Sequence, residues 1–165
     1  GKGAALDYGL QFVTNDILLL LDGDLQQSAQ AGAKLLPPVL TGTADMTVAN
    51  FTASSQQKSG WGLVKRLARW GIYQATKQLF AAPLSGQRAV KKEVLTAVDG
   101  FAGGYGVEVG LTIDSLQAGY QVLEVPVDMN HHWTGKDLAG IYHRSRQCKD
   151  VLVVLLPRLG SESSG

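Results

Sequence analysis

Residues Ile17-Leu-Leu-Leu-Leu21 run straight into Asp22-Gly23-Asp24. A continuous apolar run bounded by turn formers suits a strand covered on both faces, so a buried strand is predicted over residues 16–21. Such a strand needs a layer on each side, and the neighbouring segments carry helical patterns. Residues 3–13 place Leu6, Leu10 and Val13 on one helical face. Residues 28–41 read as a helix bent or broken at Pro37-Pro38. A strand over 45–50, a polar Ser/Gln-rich loop over 51–60 and a basic helix over 61–80 follow. Next come a short strand over 87–91, a helix over 93–98 and a glycine-rich loop over 99–106. A helix over 107–118 stops at Gly119. A strand over 121–129, with Val122, Val125 and Val127 between polar residues, precedes a long helix over 137–156. Strands alternating with helices predict an α/β domain, a sheet layered between helices.

Composition narrows the class. With 165 residues, 45% of them apolar, the chain is long enough for one domain with a core, expected over residues 1–159 with a frayed tail at 160–165. A net charge of +1 gives no global reason to expect nucleic acid as a partner. The single Cys forms no intrachain disulfide and fits a reducing compartment, so a cytoplasmic location, at most at the inner face of the membrane, is expected. Neither apolar run, 17–21 or 151–156, approaches the ~20 residues of a spanning helix. The chain opens on Gly1 inside what reads as a motif, and a domain truncated at its N-terminus is expected.

Five clusters carry candidate chemistry. Asp22 and Asp24 stand at the C-terminal end of a strand, where ligand sites of open α/β sheets lie. Paired carboxylates in a turn suit a hard divalent cation, Mg²⁺ or Mn²⁺, with phosphate partners; a capped turn with two solvated carboxylates is the alternative. His131, His132 and His143 follow the last strand, and imidazole is a frequent metal ligand, though loop histidines on the surface need no metal. Ser85-Gly86-Gln87-Arg88 offers a hydroxyl, exposed backbone amides and a guanidinium, a set that suits phosphate or sugar. Glu108 opens a helix behind Gly103-Gly104-Tyr105-Gly106, as a substrate-binding carboxylate or a plain N-terminal charge. Lys2, between Gly1 and Gly3 at a helix start, suits a diphosphate.

In this order, the motifs resemble a family 2-type glycosyltransferase of GT-A fold, and within it the glucosyl-3-phosphoglycerate synthases and polyprenyl-phosphate sugar transferases. The carrying residues are Gly1–Leu6, Leu21–Gln26, Gly42–Met46, Leu84–Ala89, Gly104–Gly110 and the His131 segment. The resemblance implies a three-layer mixed sheet flanked by helices. It implies transfer of a sugar from a nucleotide-sugar donor, a UDP-sugar by analogy, to a small phosphorylated or polyprenyl-phosphate acceptor. By that resemblance Asp22, Asp24 and His131 hold the metal, with Asp24 the direct catalytic ligand, and His132 stands where relatives often carry Arg. Lys2, Asp22 and Asp24 bind the donor; Ser85, Gly86, Gln87, Arg88 and Tyr105 line the acceptor side. Glu108 is the catalytic carboxylate of an inverting enzyme or a donor-sugar contact in a retaining one, and the Gly-Tyr-Gly-Val-Glu string favours retention. The resemblance also allows a homodimer.

Two rival classes remain. Haloacid dehalogenase-type phosphatases also place Asp-x-Asp after an apolar strand, but usually follow it with Thr and need a later acidic pair; here Leu25-Gln26 follows and no later Asp-Asp exists. A non-catalytic transferase fragment is the other rival, with the basic stretches 65–77 and 136–149 lying on anionic lipid or being plain solvated helix faces.

Overall fold

The structure is a computed structural model that describes residues 2–23, 25–51, 62–98, 101, 106–128 and 138–159, with the side chains of Lys2, 26–28 and 138–146 outside the description. Its strands are β1 (Ile17–Leu20), β2 (Met46–Phe51), β3 (Arg88–Lys91) and β4 (Val122–Val127). Its α-helices are α1 (Lys2–Leu10), α2 (Leu36–Leu40), α3 (Gly62–Thr76), α4 (Lys92–Ala97), α5 (Val107–Gln117) and α6 (Leu138–Leu159). A 3-10 helix spans Gln26–Leu35.

Among the described residues the strands form one sheet in the order β1-β3-β2-β4. β3 runs antiparallel to both neighbours, and β2 pairs parallel with β4. β1, β2 and β4 therefore end on one edge of the sheet, and β3 begins there. That edge receives the chain leaving β1 at Asp22, the turn entering β3 at Ser85–Gln87, and the chain leaving β4 at Asp128.

Alternation along the strands feeds two cores. On one face Met46, Val48, Val90 and Val122 meet Val64, Ala68 and Ile72 of α3, Val109 and Ile113 of α5, and Val151 and Leu155 of α6. On the other, Ala49, Ala89 and Val127 meet Leu25, Leu35 and Val39. The Thr47 hydroxyl donates to Leu35 O at 2.8 Å and ties the 3-10 helix to the sheet. The layered α/β expectation is thus met, with a mixed sheet. α5 is buried on nearly every side, its polar residues Glu108, Thr112 and Ser115 included.

Several local expectations are corrected. β1 is half-buried, not sealed on both faces, because it is the end strand of the described sheet. Pro37 and Pro38 do not break a helix; they open α2, where a missing N–H costs nothing. The stretch before them is a 3-10 helix rather than an α-helix. The helix expected over 61–80 ends at Thr76, with Lys77 at φ 60°. Gly119, at φ 87°, does close α5, with Tyr120 N donating to Ser115 O at 3.0 Å. The loop 52–60 and the tail 160–165 lie outside the described residues.

Candidate active site

The site grows from the antiparallel pairing of β1 with β3. Their register places Leu20 opposite Arg88. Continuing it one step brings Gln87 beside the Leu21–Asp22 step. There the Gln87 amide donates from Nε2 to Asp22 Oδ2 at 2.7 Å. Its Oε1 accepts from the Ser85 hydroxyl at 3.1 Å. The amide orientation follows from these partners, since only an N–H can face a carboxylate.

Arg88 points to the α5 side of the sheet and is 1% exposed. Nε donates to Ser85 O at 3.1 Å, NH1 to Thr112 Oγ1 at 3.0 Å, and NH2 to Glu108 O at 2.8 Å. The Thr112 hydroxyl in turn donates a hydrogen bond to Glu108 O at 2.9 Å. Burial pushes the guanidinium down to about 10, and the nearby Glu108 carboxylate opposes that shift. The turn read from sequence as presenting exposed amides and a reaching arginine is therefore mostly sealed: Ser85, Gln87 and Arg88 are all buried. A hydropathy pattern carries no sign of this, because the partners lie on a helix twenty and more residues downstream.

Glu108 sits in the first turn of α5 and is 9% exposed. It borders a cleft of about 210 Å³ together with Asp22, Gly86, Arg88, Leu6 of α1 and Phe101. That volume is below the ~300–1,000 Å³ of a full small-molecule pocket. Phe101 is fixed by its own N–H, which donates to Asp7 Oδ1 at 3.1 Å. Asp7 and Thr112 were not singled out by sequence; each acts across a long chain separation that no local pattern reports. Lys2 opens α1, four residues before Leu6. Asp24, Tyr105, His131 and His132 lie outside the described residues.

The structure thus brings together Asp22, Ser85, Gly86, Gln87, Arg88 and Glu108. Among the described residues no group of three or more His, Cys, Asp and Glu can hold a metal. Asp22 supplies one carboxylate at the sheet edge, a hard oxygen donor suited to Mg²⁺ or Mn²⁺. β4 ends on that same edge four residues before His131.

A mixed α/β sheet with β3 reversed and Asp22 where β1 ends fits a GT-A-type fold, and the likeness to known proteins shows that class. The chain matches Glycosyl transferase family 2 over residues 1–104, and it belongs to that family. It is 31% identical to the glucosyl-3-phosphoglycerate synthase of Mycolicibacterium smegmatis, with all of this chain and 57% of that protein covered. It is 32% identical to the Mycobacterium tuberculosis synthase, with all of this chain and 54% of that protein covered. The chain thus spans little more than half the length of these relatives. A crystal structure of the M. tuberculosis enzyme with Mg²⁺ and UDP superposes at a TM-score of 0.78 and 28% identity, over all of this chain and 57% of that one. Another, with Mn²⁺, UDP and phosphoglyceric acid, gives 0.77 and 29%, over all of this chain and 56% of that one. The family match removes the phosphatase rival. No helix among the described residues is long and apolar enough to cross a membrane.

Proposed function

We propose that the protein is a metal-dependent glycosyltransferase that moves a sugar from a UDP-sugar to a small phosphorylated acceptor of the phosphoglycerate kind. The observation that carries this reading is the convergence of Asp22, Arg88 and Glu108 on one cleft at the sheet edge. The UDP, divalent cation and phosphoglyceric acid held by the M. tuberculosis enzyme support it.

On this reading Asp22, Asp24 and His131 hold Mg²⁺ or Mn²⁺, and Lys2 binds the donor diphosphate. A divalent cation bound there neutralises the charge that grows on the departing nucleoside diphosphate. Gly86 and Arg88 line the cleft and serve the acceptor, a role that Tyr105 shares on this reading. Among the described residues of that lining Arg88 is the one cation, beside the Asp22 and Glu108 carboxylates, and on this reading it meets the phosphate or carboxylate of the acceptor. Glu108, its backbone pinned by Arg88 and Thr112, orients the donor sugar in a retaining reaction.

Glucose transfer from UDP-glucose by the intact protein tests the acceptor: 3-phosphoglycerate is expected to be glucosylated and a polyprenyl phosphate not. Transfer to the lipid phosphate alone would replace this acceptor with the other. α3 exposes Leu63, Trp70 and Tyr73 beside Arg66 and Arg69, a stripe on which that second outcome would rest.

A further inference from the structure

The turn that enters β3 bears on the donor side of the site, not on the acceptor side alone. Gln87 is fully buried and Ser85 is 6% exposed, so neither competes with bulk water for partners. The Gln87 amide holds Asp22 Oδ2 at 2.7 Å, and the Ser85 hydroxyl holds the other end of that amide at 3.1 Å. The turn is anchored in its own right. Glu124 of β4 accepts from Ala81 N at 2.9 Å and from Ala82 N at 2.6 Å. Ser85 N donates to Ala82 O at 3.1 Å, and Ser85 O receives Arg88 Nε at 3.1 Å. A rigid strap therefore runs from β4 through the turn to a single carboxylate oxygen of Asp22.

We infer that Gln87, with Ser85 behind it, is a positioning residue for Asp22: by holding Oδ2 it sets the orientation in which the carboxylate meets the metal and diphosphate. The inference rests on the proposed role of Asp22 at the donor site. The physical reason is general. An outer partner that orients a ligating carboxylate typically changes metal affinity by ~10–100-fold when removed, because a free carboxylate must be ordered at the moment of binding. A neutral amide is the suitable partner. It donates without adding charge, so the carboxylate keeps its full negative charge for the cation.

The test is equilibrium binding of UDP to the intact protein, with Mn²⁺ and with EDTA, for wild type, Gln87→Met, Ser85→Ala and Asp22→Asn. Methionine keeps the length and volume of glutamine and removes the donor. Gln87→Met is expected to weaken Mn²⁺-dependent UDP binding about tenfold or more, to leave metal-free UDP binding unchanged, and to be rescued by raising Mn²⁺. Ser85→Ala, milder for folding, is expected to move the same quantity in the same direction by about threefold. A purely structural role would lower the folding midpoint and weaken both kinds of binding alike, which would overturn the inference. So would unchanged Mn²⁺-dependent affinity in Gln87→Met or, if that variant does not fold, in Ser85→Ala, while Asp22→Asn loses it; the donor-site reading would then stand alone. Wild-type binding that ignores Mn²⁺ and is indifferent to Asp22→Asn would remove the donor-site reading itself, and the inference with it.

Discussion

Arg88 shows most plainly how one side chain serves fold and site together. Three of its nitrogens bind Ser85 O, Thr112 Oγ1 and Glu108 O, and so lock β3 to the start of α5. Lysine carries one compact ammonium and cannot span that set. Arg88→Lys is therefore expected to cost about 3 kcal/mol in urea unfolding, since buried carbonyls lose a charged donor. Transfer should fall further than the stability loss explains, because Glu108 loses its fixed backbone. A variant as stable as wild type would contradict the clamp. The sequence singled out Asp22, residues 85–88 and Glu108, and these do converge. It read Arg88 as a guanidinium offered to phosphate or sugar and gave no sign of its burial, because an arginine at a strand end has no local mark of it. The partners that desolvate it come from α5, and only the folded chain brings them near.

At the level of elements, the position of α5 depends on how closely α6 can approach it. A Cβ at Gly106 would meet Val154 Cγ2 and would stand 2.8 Å from Asp150 O, a backbone atom that cannot swing aside. A Cβ at Gly71 would meet the Leu155 side chain, so α3 and α6 touch through a second glycine. Gly106→Ala is expected to cost about 1–3 kcal/mol by overpacking. Gly9→Ala, with nothing within 4 Å of its Cβ in α1, should be neutral or stabilise by up to ~1 kcal/mol. Equal urea midpoints for the two variants would refute close approach as the reason for Gly106. From sequence, residues 99–106 read as a glycine-rich loop and 107–118 as a helix, which agrees with α5 to within a residue. The second use of Gly106, as a contact point, is silent in the chain because it needs the partner helix. Pro37-Pro38 misled for a related reason. Proline marks a boundary, but the sequence does not say which side of it is helix.

Across the whole molecule, the sheet is held at the edge opposite the site by Asp45. Its carboxylate accepts from Lys91 Nζ at 2.7 Å and from Gln121 N at 2.8 Å, joining β2, β3 and the start of β4. Lys91, and then the Gln121 amide, hold the Asp45 carboxyl below its ordinary range, while Asp45 holds the Lys91 ammonium above its own. The depressed acid contributes stability above ~pH 4 and loses it as pH falls through the folded value; the raised base contributes below ~pH 10 and loses it as pH rises through its folded value. Urea midpoints should therefore be level between those limits and fall beyond each, with Asp45→Asn lower on the plateau and flatter on the acid limb. An acid limb unchanged in that variant would remove Asp45 as its source. The α/β class and the strand order's functional edge were legible because apolar runs and turn residues are local signals; the pairing that makes β3 central was not. The most direct test of the whole account is release of UDP from UDP-glucose by the intact protein, with 3-phosphoglycerate present, in Mg²⁺ or Mn²⁺ against EDTA, beside Asp24→Asn and His131→Ala. Release is expected to need the metal and to be lost in both variants while each stays folded. Metal-independent release, or full release by Asp24→Asn, would contradict that.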